Sequence, residues 1–366
     1  MKLDITEQML FALLRSALHG THADATIFAG ITSEAWQECY RLSVRQGVMA
    51  LAWDGLITLP TELQPPKSLK INWWLAVERC EKRYRYYCRV ISDLSTFYGI
   101  TAVQLKGVGF ANNYPIPSHR EGGDIDIFTY SADSSGLSDR EANSLADKLM
   151  RGRGIEVDFS HSQKHSMFYY KGIPIENHKK FLNTEIYRTA VSMDILLRKL
   201  LRPRLTVLDG KYEVLTPSPD FNTVFLAFHS AQHYALGFAM HHLCDWACLL
   251  KKQGLKIPEG VTDERFLNMI YALTHLCNRY LGTEVLVMKG GEELAENLLK
   301  EMLHPTYNIN VPATGKWGIL VYKLKRMLHI HRLCDSVMRV SLVKWLWISV
   351  IQHVRFPQSI FRRTVS

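Results

Sequence analysis

The sequence predicts an α+β protein: a small mixed-sheet core, about residues 99–182, between an N-terminal helical region (1–98) and a C-terminal helical region with a basic tail (183–366). Three observations predict this. Apolar residues recur at helical spacing on both sides of the middle segment. The middle segment alone carries short β-type apolar runs separated by Gly-containing turns. The charge is lopsided: from Lys316 onward, ten Lys and Arg stand against Asp335 alone, which equals the net +9 of the whole chain.

Taken in order, Leu10, Leu13, Leu14 and Leu18 behind a Thr6 cap predict a first helix. Ser33-Glu34-Ala35-Trp36 opens a second that runs on through Tyr40, Leu42, Val48 and Leu51, before Pro60, Pro65 and Pro66 interrupt the chain. An unbroken aromatic segment, 67–97, reads as a core helix. Residues 100–105 read as a buried strand that turns at Lys106-Gly107 into a helix reaching Tyr114. Residues 122–128 form a second strand, 139–151 a helix capped by Ser138, and 167–170 with 173–177 a hairpin around Lys171-Gly172. After Thr184 the reading is helical: 189–201, 221–236, 242–252, 264–281, 292–302 and a basic pair from Trp317.

Composition narrows the class of function. With 366 residues, 47% hydrophobic and 22% charged, the chain has the size of two or three folded domains. Its seven scattered cysteines exclude a dense disulfide framework and suit a reducing compartment. Asp4 and Glu7 interrupt any secretory signal, and the apolar run 340–350, broken by Lys344, is too short to cross a bilayer. The expectation is a soluble cytoplasmic protein. There is no P-loop, no dinucleotide fingerprint and no nucleophile elbow. The basic tail is expected to be mainly structural, with Trp345, Leu346 and Trp347 partly packed; nucleic-acid binding through it is not favoured.

The chemistry concentrates at Asp124-Ile125-Asp126-Ile127. Strand alternation sends both isoleucines inward and both carboxylates to the other face. Two adjacent carboxylates repel unless a cation lies between them, and Mg²⁺ takes such oxygens together with substrate phosphates. Gly122 and Gly123 let backbone lie close to a ligand. The Lys106-Gly107-Val108-Gly109 turn offers N–H groups to a phosphate. Lys106 either meets phosphate or pairs with a site acid, and Arg120 either clamps phosphate or pairs with Asp126. The same alternation puts Ile173 and Ile175 inside and Glu176 and His178 outside, so Glu176 joins the acids if its hairpin pairs beside their strand; otherwise Asp158 is the next acid to consider.

Leu105-Lys106-Gly107, Arg120, Gly123-Asp124-Ile125-Asp126-Ile127 and Ile175-Glu176-Asn177-His178 together resemble the uncharacterised bacterial nucleotidyltransferases, in the superfamily of DNA polymerase beta and the aminoglycoside nucleotidyltransferases. The resemblance covers about residues 100–180. It implies a nucleotidyltransferase core in which Asp124, Asp126 and Glu176 are catalytic and hold two Mg²⁺ (or Mn²⁺) ions. It also implies that Lys106, Gly107, Arg120 and Gly123 bind a nucleoside triphosphate such as ATP. The superfamily's serine after the turn glycine is replaced by Val108, which puts that phosphate contact in doubt and leaves it to Lys106. The implied reaction moves a nucleoside monophosphate to an acceptor hydroxyl on a small molecule, or alternatively on a protein side chain.

Other candidates are weaker. His165 and His178 flank the hairpin and suit structural hydrogen bonds. His229, His233, His241, His242, Cys244, Asp245 and Cys248 gather in two helices. Of these, His241, Cys244 and Cys248 share a helical face in the manner of a soft-metal site, and Asp245 is a candidate base, or else a partner for His229. The rival class is a non-catalytic module of the same fold that binds nucleotide or nucleic acid; intact Asp124, Asp126 and Glu176 argue against it. A template-independent RNA polymerase would need basic residues around the acids rather than after Lys316.

Overall fold

The computed structural model describes residues 1–98, 101–130, 138–159, 164–307 and 315–355. The N-terminal region is built from α1 (Ile5–His19), α2 (Ser33–Arg45), α3 (Met49–Leu56) and the long α4 (Lys67–Tyr98). Asp4, not Thr6, caps α1: its carboxylate accepts the Glu7 N–H at 2.9 Å, while the Glu7 carboxylate accepts the Asp4 N–H at 2.8 Å. The predicted second helix is two helices, because Gly47 takes a left-handed backbone (φ 65°) that no helix tolerates.

The middle of the chain supplies β1 (Thr101–Gln104), β2 (Ile125–Tyr130), α5 (Asp139–Gly152), β3 (Val157–Asp158), β4 (His165–Tyr170) and β5 (Ile173–His178). Ile100, read as the first residue of the β1 run, lies outside the described residues. Two further strands follow α6 (Arg188–Leu200): β6 (Arg204–Leu208) and β7 (Tyr212–Thr216). They turn at Asp209-Gly210, with both residues at positive φ, as hairpin turns of this type demand. The seven strands form one sheet in the order β3-β4-β5-β2-β1-β7-β6. Pairing is parallel between β2 and β5 and between β1 and β7, and antiparallel elsewhere. The sheet therefore reaches past residue 182 into a segment read from sequence as helical.

The two faces of this sheet differ. Ile125, Ile127, Ile173 and Ile175 are buried with Tyr84, Ile91 and Leu94 of α4 and Ala146 and Met150 of α5. On the opposite face, Phe128 packs on Phe181 with ring centroids 4.4 Å apart, and Phe181 on Phe221 at 5.0 Å. Phe221 belongs to α7 (Pro219–His233), which with α8 (Met240–Gln253), α9 (Glu264–Leu276), α10 (Glu292–Leu303) and the N-terminal helices encloses the larger core. The acid-bearing face thus looks toward the C-terminal helices. Slipping β2 by one residue would exchange buried isoleucines, each worth about 1.5–3 kcal/mol, for aspartates, so the register is fixed.

The basic tail forms α11 (Lys316–Met338) and α12 (Leu342–Arg355). Lys316, Lys325, Arg332, Arg339 and Lys344 are exposed there. Trp345 packs against the core and His331, whereas Trp347 stands 65% exposed. Arg362 and Arg363 lie outside the described residues. Among the described residues, no helix is long and apolar enough to cross a membrane.

Candidate active site

Asp124 ends the turn before β2, and Asp126 is its second residue. Parallel pairing sets Asp126 opposite Glu176 and Ile125 opposite Ile175. The result is convergence: one carboxylate oxygen from each of Asp124, Asp126 and Glu176 lies within 4.8 Å of the others. A buried polar network behind β5 holds this register. Asn177 accepts from Thr129 (3.0 Å) and Asn143 (2.9 Å) and donates to Asp147 (2.9 Å), which also accepts from Ser166 (2.6 Å). Turning β5 over would strand several of these buried polar groups. With Asn177 on that face, Glu176 and His178 are directed to the other.

Basic side chains surround the acids. Lys106 Nζ stands 3.3 Å from Asp126 Oδ2, and His178 Nε2 stands 2.9 Å from Asp126 Oδ1 and 3.3 Å from Glu176 Oε2. Burial opposes ionisation of Asp126, but the Lys106 ammonium and His178 outweigh it and hold the carboxyl far below its usual range. Asp124 moves the other way, raised by burial and then by the Asp126 charge. For Glu176, burial is outweighed by the His178 hydrogen bond, and its pKa falls. Burial pushes His165 down to about 4 although its Nδ1 lies 3.2 Å from Glu176 Oε2. Lys164, which had no motif to announce it, faces the same acids; burial lowers its pKa, with Asp126 and Glu176 opposing.

A hard divalent ion suits this donor set. Asp126 Oδ2 is buried, faces Lys106 Nζ at 3.3 Å and makes no hydrogen bond. Both imidazoles approach Glu176 through Oε2. Carboxylate oxygens converging from adjacent strands are what oxygen-seeking cations coordinate.

The Lys106-Gly107 turn packs directly on the acid strand. Gly107 has φ 63°, and a Cβ there would lie 3.5 Å from the Asp124 carbonyl, an ordinary contact, so conformation rather than space requires glycine. At Gly109 space decides: a Cβ would come within 2.5 Å of Gln104 Cγ. The helix expected after this turn is a 3₁₀ segment, Gly107–Asn113, which ends before Tyr114-Pro115 because proline disfavours α-geometry in the residue before it. The helix-dipole argument for phosphate does not extend to so short a segment. Gly123 faces open space, and its carbonyl accepts from Tyr87 at 3.1 Å.

Lys106 takes the second of its two sequence readings, pairing with a site acid. Arg120 pairs with Asp245, not with Asp126. Its Nε and Nη2 donate to Asp245 Oδ1 (2.9 Å) and Oδ2 (2.7 Å), and the Tyr114 hydroxyl donates to Oδ1 at 2.6 Å. Burial would lower the guanidinium's pKa, but the Asp245 carboxylate raises it. Asp245 is thereby committed to Arg120 and Tyr114, not free as a base and not paired with His229. The preceding His119 meets Asp54 at 2.8 Å and Glu81 at 3.1 Å, which fastens the loop to α3 and α4. In α7 and α8 the residues that converge are His229, His233 and His242, not His241, Cys244 and Cys248.

A mixed sheet carrying clustered acids beside a Lys-Gly turn, roofed by helices, defines a nucleotidyltransferase-type domain. The family model described as uncharacterised nucleotidyltransferase matches residues 32–282, more than half of the chain, and the chain belongs to that family. No curated protein and no solved structure matches it. The match takes in α2 through α9, including β6, β7 and the histidines of α7 and α8.

Proposed function

We propose that the protein is a divalent-metal-dependent nucleotidyltransferase that moves a nucleoside monophosphate from a nucleoside triphosphate, ATP among them, to an acceptor hydroxyl. The observation that carries this reading is the convergence of Asp124, Asp126 and Glu176 from adjacent strands, with Asp126 Oδ2 buried, facing Lys106 but making no hydrogen bond. These three residues would hold two Mg²⁺ ions, or Mn²⁺ in their place. Ions there supply neutralising charge for the triphosphate and acidify the acceptor hydroxyl.

In the reaction the acceptor oxygen bonds to the α-phosphorus, the bond to the β-phosphate oxygen breaks and pyrophosphate leaves. Glu176 would take a metal or the acceptor proton, its Oε2 lying 3.2 Å from His165 and 3.3 Å from His178. Lys106, next to the Gly107 turn, supplies a compact positive charge for the leaving phosphates once metals compete with it for Asp126. Gly107 and Gly123 leave backbone room beside the nucleotide. The acceptor is a small molecule in this reading, because helices α7 and α8 wall the acid face. The seven buried free thiols suit a reducing, cytoplasmic setting.

Calorimetry of a nucleoside triphosphate binding to the full chain, with and without Mg²⁺, tests the site. Mg²⁺ should strengthen binding to the native chain, and Asp124→Asn should abolish that linkage while the thermal unfolding curve keeps its cooperativity. Unchanged Mg²⁺-linked binding in Asp124→Asn would remove the proposed metal site.

A further inference from the structure

Three histidines outside the acid cluster converge on one point. His229 and His233 lie one turn apart on a single face of α7. His242 enters from the first turn of α8, and one ring nitrogen of each lies within 4.8 Å of the others. Their ring centroids are 4.5, 4.8 and 5.2 Å apart. We propose that His229, His233 and His242 form a binding site for a borderline divalent transition ion of the Zn²⁺ class, separate from the acid cluster and with a fourth coordination position left for water or a substrate oxygen.

The chemistry of the donors selects the ion. Imidazole nitrogens suit Zn²⁺, Co²⁺ or Ni²⁺, whereas Mg²⁺ demands oxygen. Three protein ligands leave a tetrahedral site open, the pattern of reactive rather than closed structural zinc sites. The rings are also in the required protonation state. Burial, then the Lys106 charge, keeps His229 well below its ordinary pKa and His233 at about 4; burial, then His241, does the same for His242. Neutral imidazoles offer their lone pairs without first losing a proton.

The polar bookkeeping points the same way. Neither His229 nor His233 makes a hydrogen bond among the described residues; their contacts are ring contacts. His242 Nδ1 sits 3.2 Å from the Ala239 nitrogen and 3.3 Å from the Ala239 oxygen. The Ala239 N–H donates to Nδ1; an ion on Nε2 would select the other tautomer, in which Nδ1 carries the proton and donates to the Ala239 carbonyl beside it. His229 and His233 are half-buried, so their nitrogens stay open to an entering ion.

The location ties the site to the cleft. Lys106, paired with Asp126, acts electrostatically on all three rings, and Lys164 acts on His229. Those two lysines oppose a dication, but the three carboxylates around them outnumber them, so the local field does not exclude one.

The test uses the full chain in excess Mg²⁺, which fills the oxygen site, titrated with Co²⁺. One equivalent should bind with the visible bands of four- or five-coordinate Co²⁺, and Zn²⁺ should displace it. Asp124→Asn should leave those bands in place. His233→Ala, or His233→Asn if the alanine variant fails to fold, should weaken Co²⁺ binding by more than about 100-fold, beyond what loss of an outer-shell partner costs. The proposal is overturned by absence of stoichiometric Co²⁺ binding, by bands unchanged in the folded His233 variant, or by bands lost in Asp124→Asn. None of these readouts depends on transferase activity, so the result is separable from the function proposed above.

Discussion

Asp126→Asn should lower turnover for nucleotidyl transfer by roughly 10³-fold or more, the range expected on removing a principal charge-stabilising group from phosphoryl-transfer and oxyanion sites. The side chain keeps its shape, and its Oδ1 still accepts from His178 Nε2, now at 2.9 Å. What disappears is the buried anion that Lys106 faces at 3.3 Å and that a metal would take through Oδ2. The fold should survive, because Lys106 still feels Asp124 and Glu176 and is not left as an uncompensated buried charge. The expected pattern is therefore a collapse in turnover with a cooperative melt. Steady-state kinetics beside circular-dichroism melting separates that pattern from simple unfolding, and near-native turnover would remove Asp126 from the chemistry.

Asp245→Ala should destabilise the protein by about 3–5 kcal/mol, the range for deleting one member of a buried ion pair. The side chains of Arg120 and Asp245 are 8% and 6% exposed. Without the carboxylate, a buried guanidinium and the Tyr114 hydroxyl both lose their acceptor. The pair joins the loop before the acid strand to α8, so the loss also unfastens the helical roof from the sheet. Replacing both charges together, as in Arg120→Met with Asp245→Leu, should recover much of the stability, since the dominant cost is the stranded charge. Urea unfolding of the two variants measures this; a loss below about 1 kcal/mol for Asp245→Ala would mean that water reaches the guanidinium.

How far the sequence discloses this site depends on the range over which each feature is determined. Asp124 and Asp126 are legible because alternation and flanking isoleucines are local, and Glu176 follows from the same alternation once β5 is placed beside β2. The β6–β7 hairpin is not legible as strands although Asp209-Gly210 is a strong turn signal: β6 is the sheet edge, with Leu205 at 64% and Val207 at 46% exposed, so it shows no buried pattern. Lys164 has no motif; only the register of β4 against β5 brings it to the acids. Arg120 and Asp245 are 125 residues apart in sequence, and no local rule pairs them. For the histidines, the α7 pair stands out by its spacing, but choosing His242 over its neighbour His241 requires the phase of α8, and one residue turns a helix by about 100°.

The central claim is that the three acids support transfer of the α-phosphate group, and labelled triphosphates test it most directly. The full chain is incubated with Mg²⁺ or Mn²⁺, a mixture of hydroxyl-bearing acceptors, and nucleoside triphosphates labelled at either the α- or the γ-phosphate. The account predicts that the α label moves to an acceptor, that the γ label is released in pyrophosphate, and that both events stop without divalent metal and in Asp126→Asn. Transfer of the γ label to an acceptor, or α-label transfer that persists in Asp126→Asn, would contradict it.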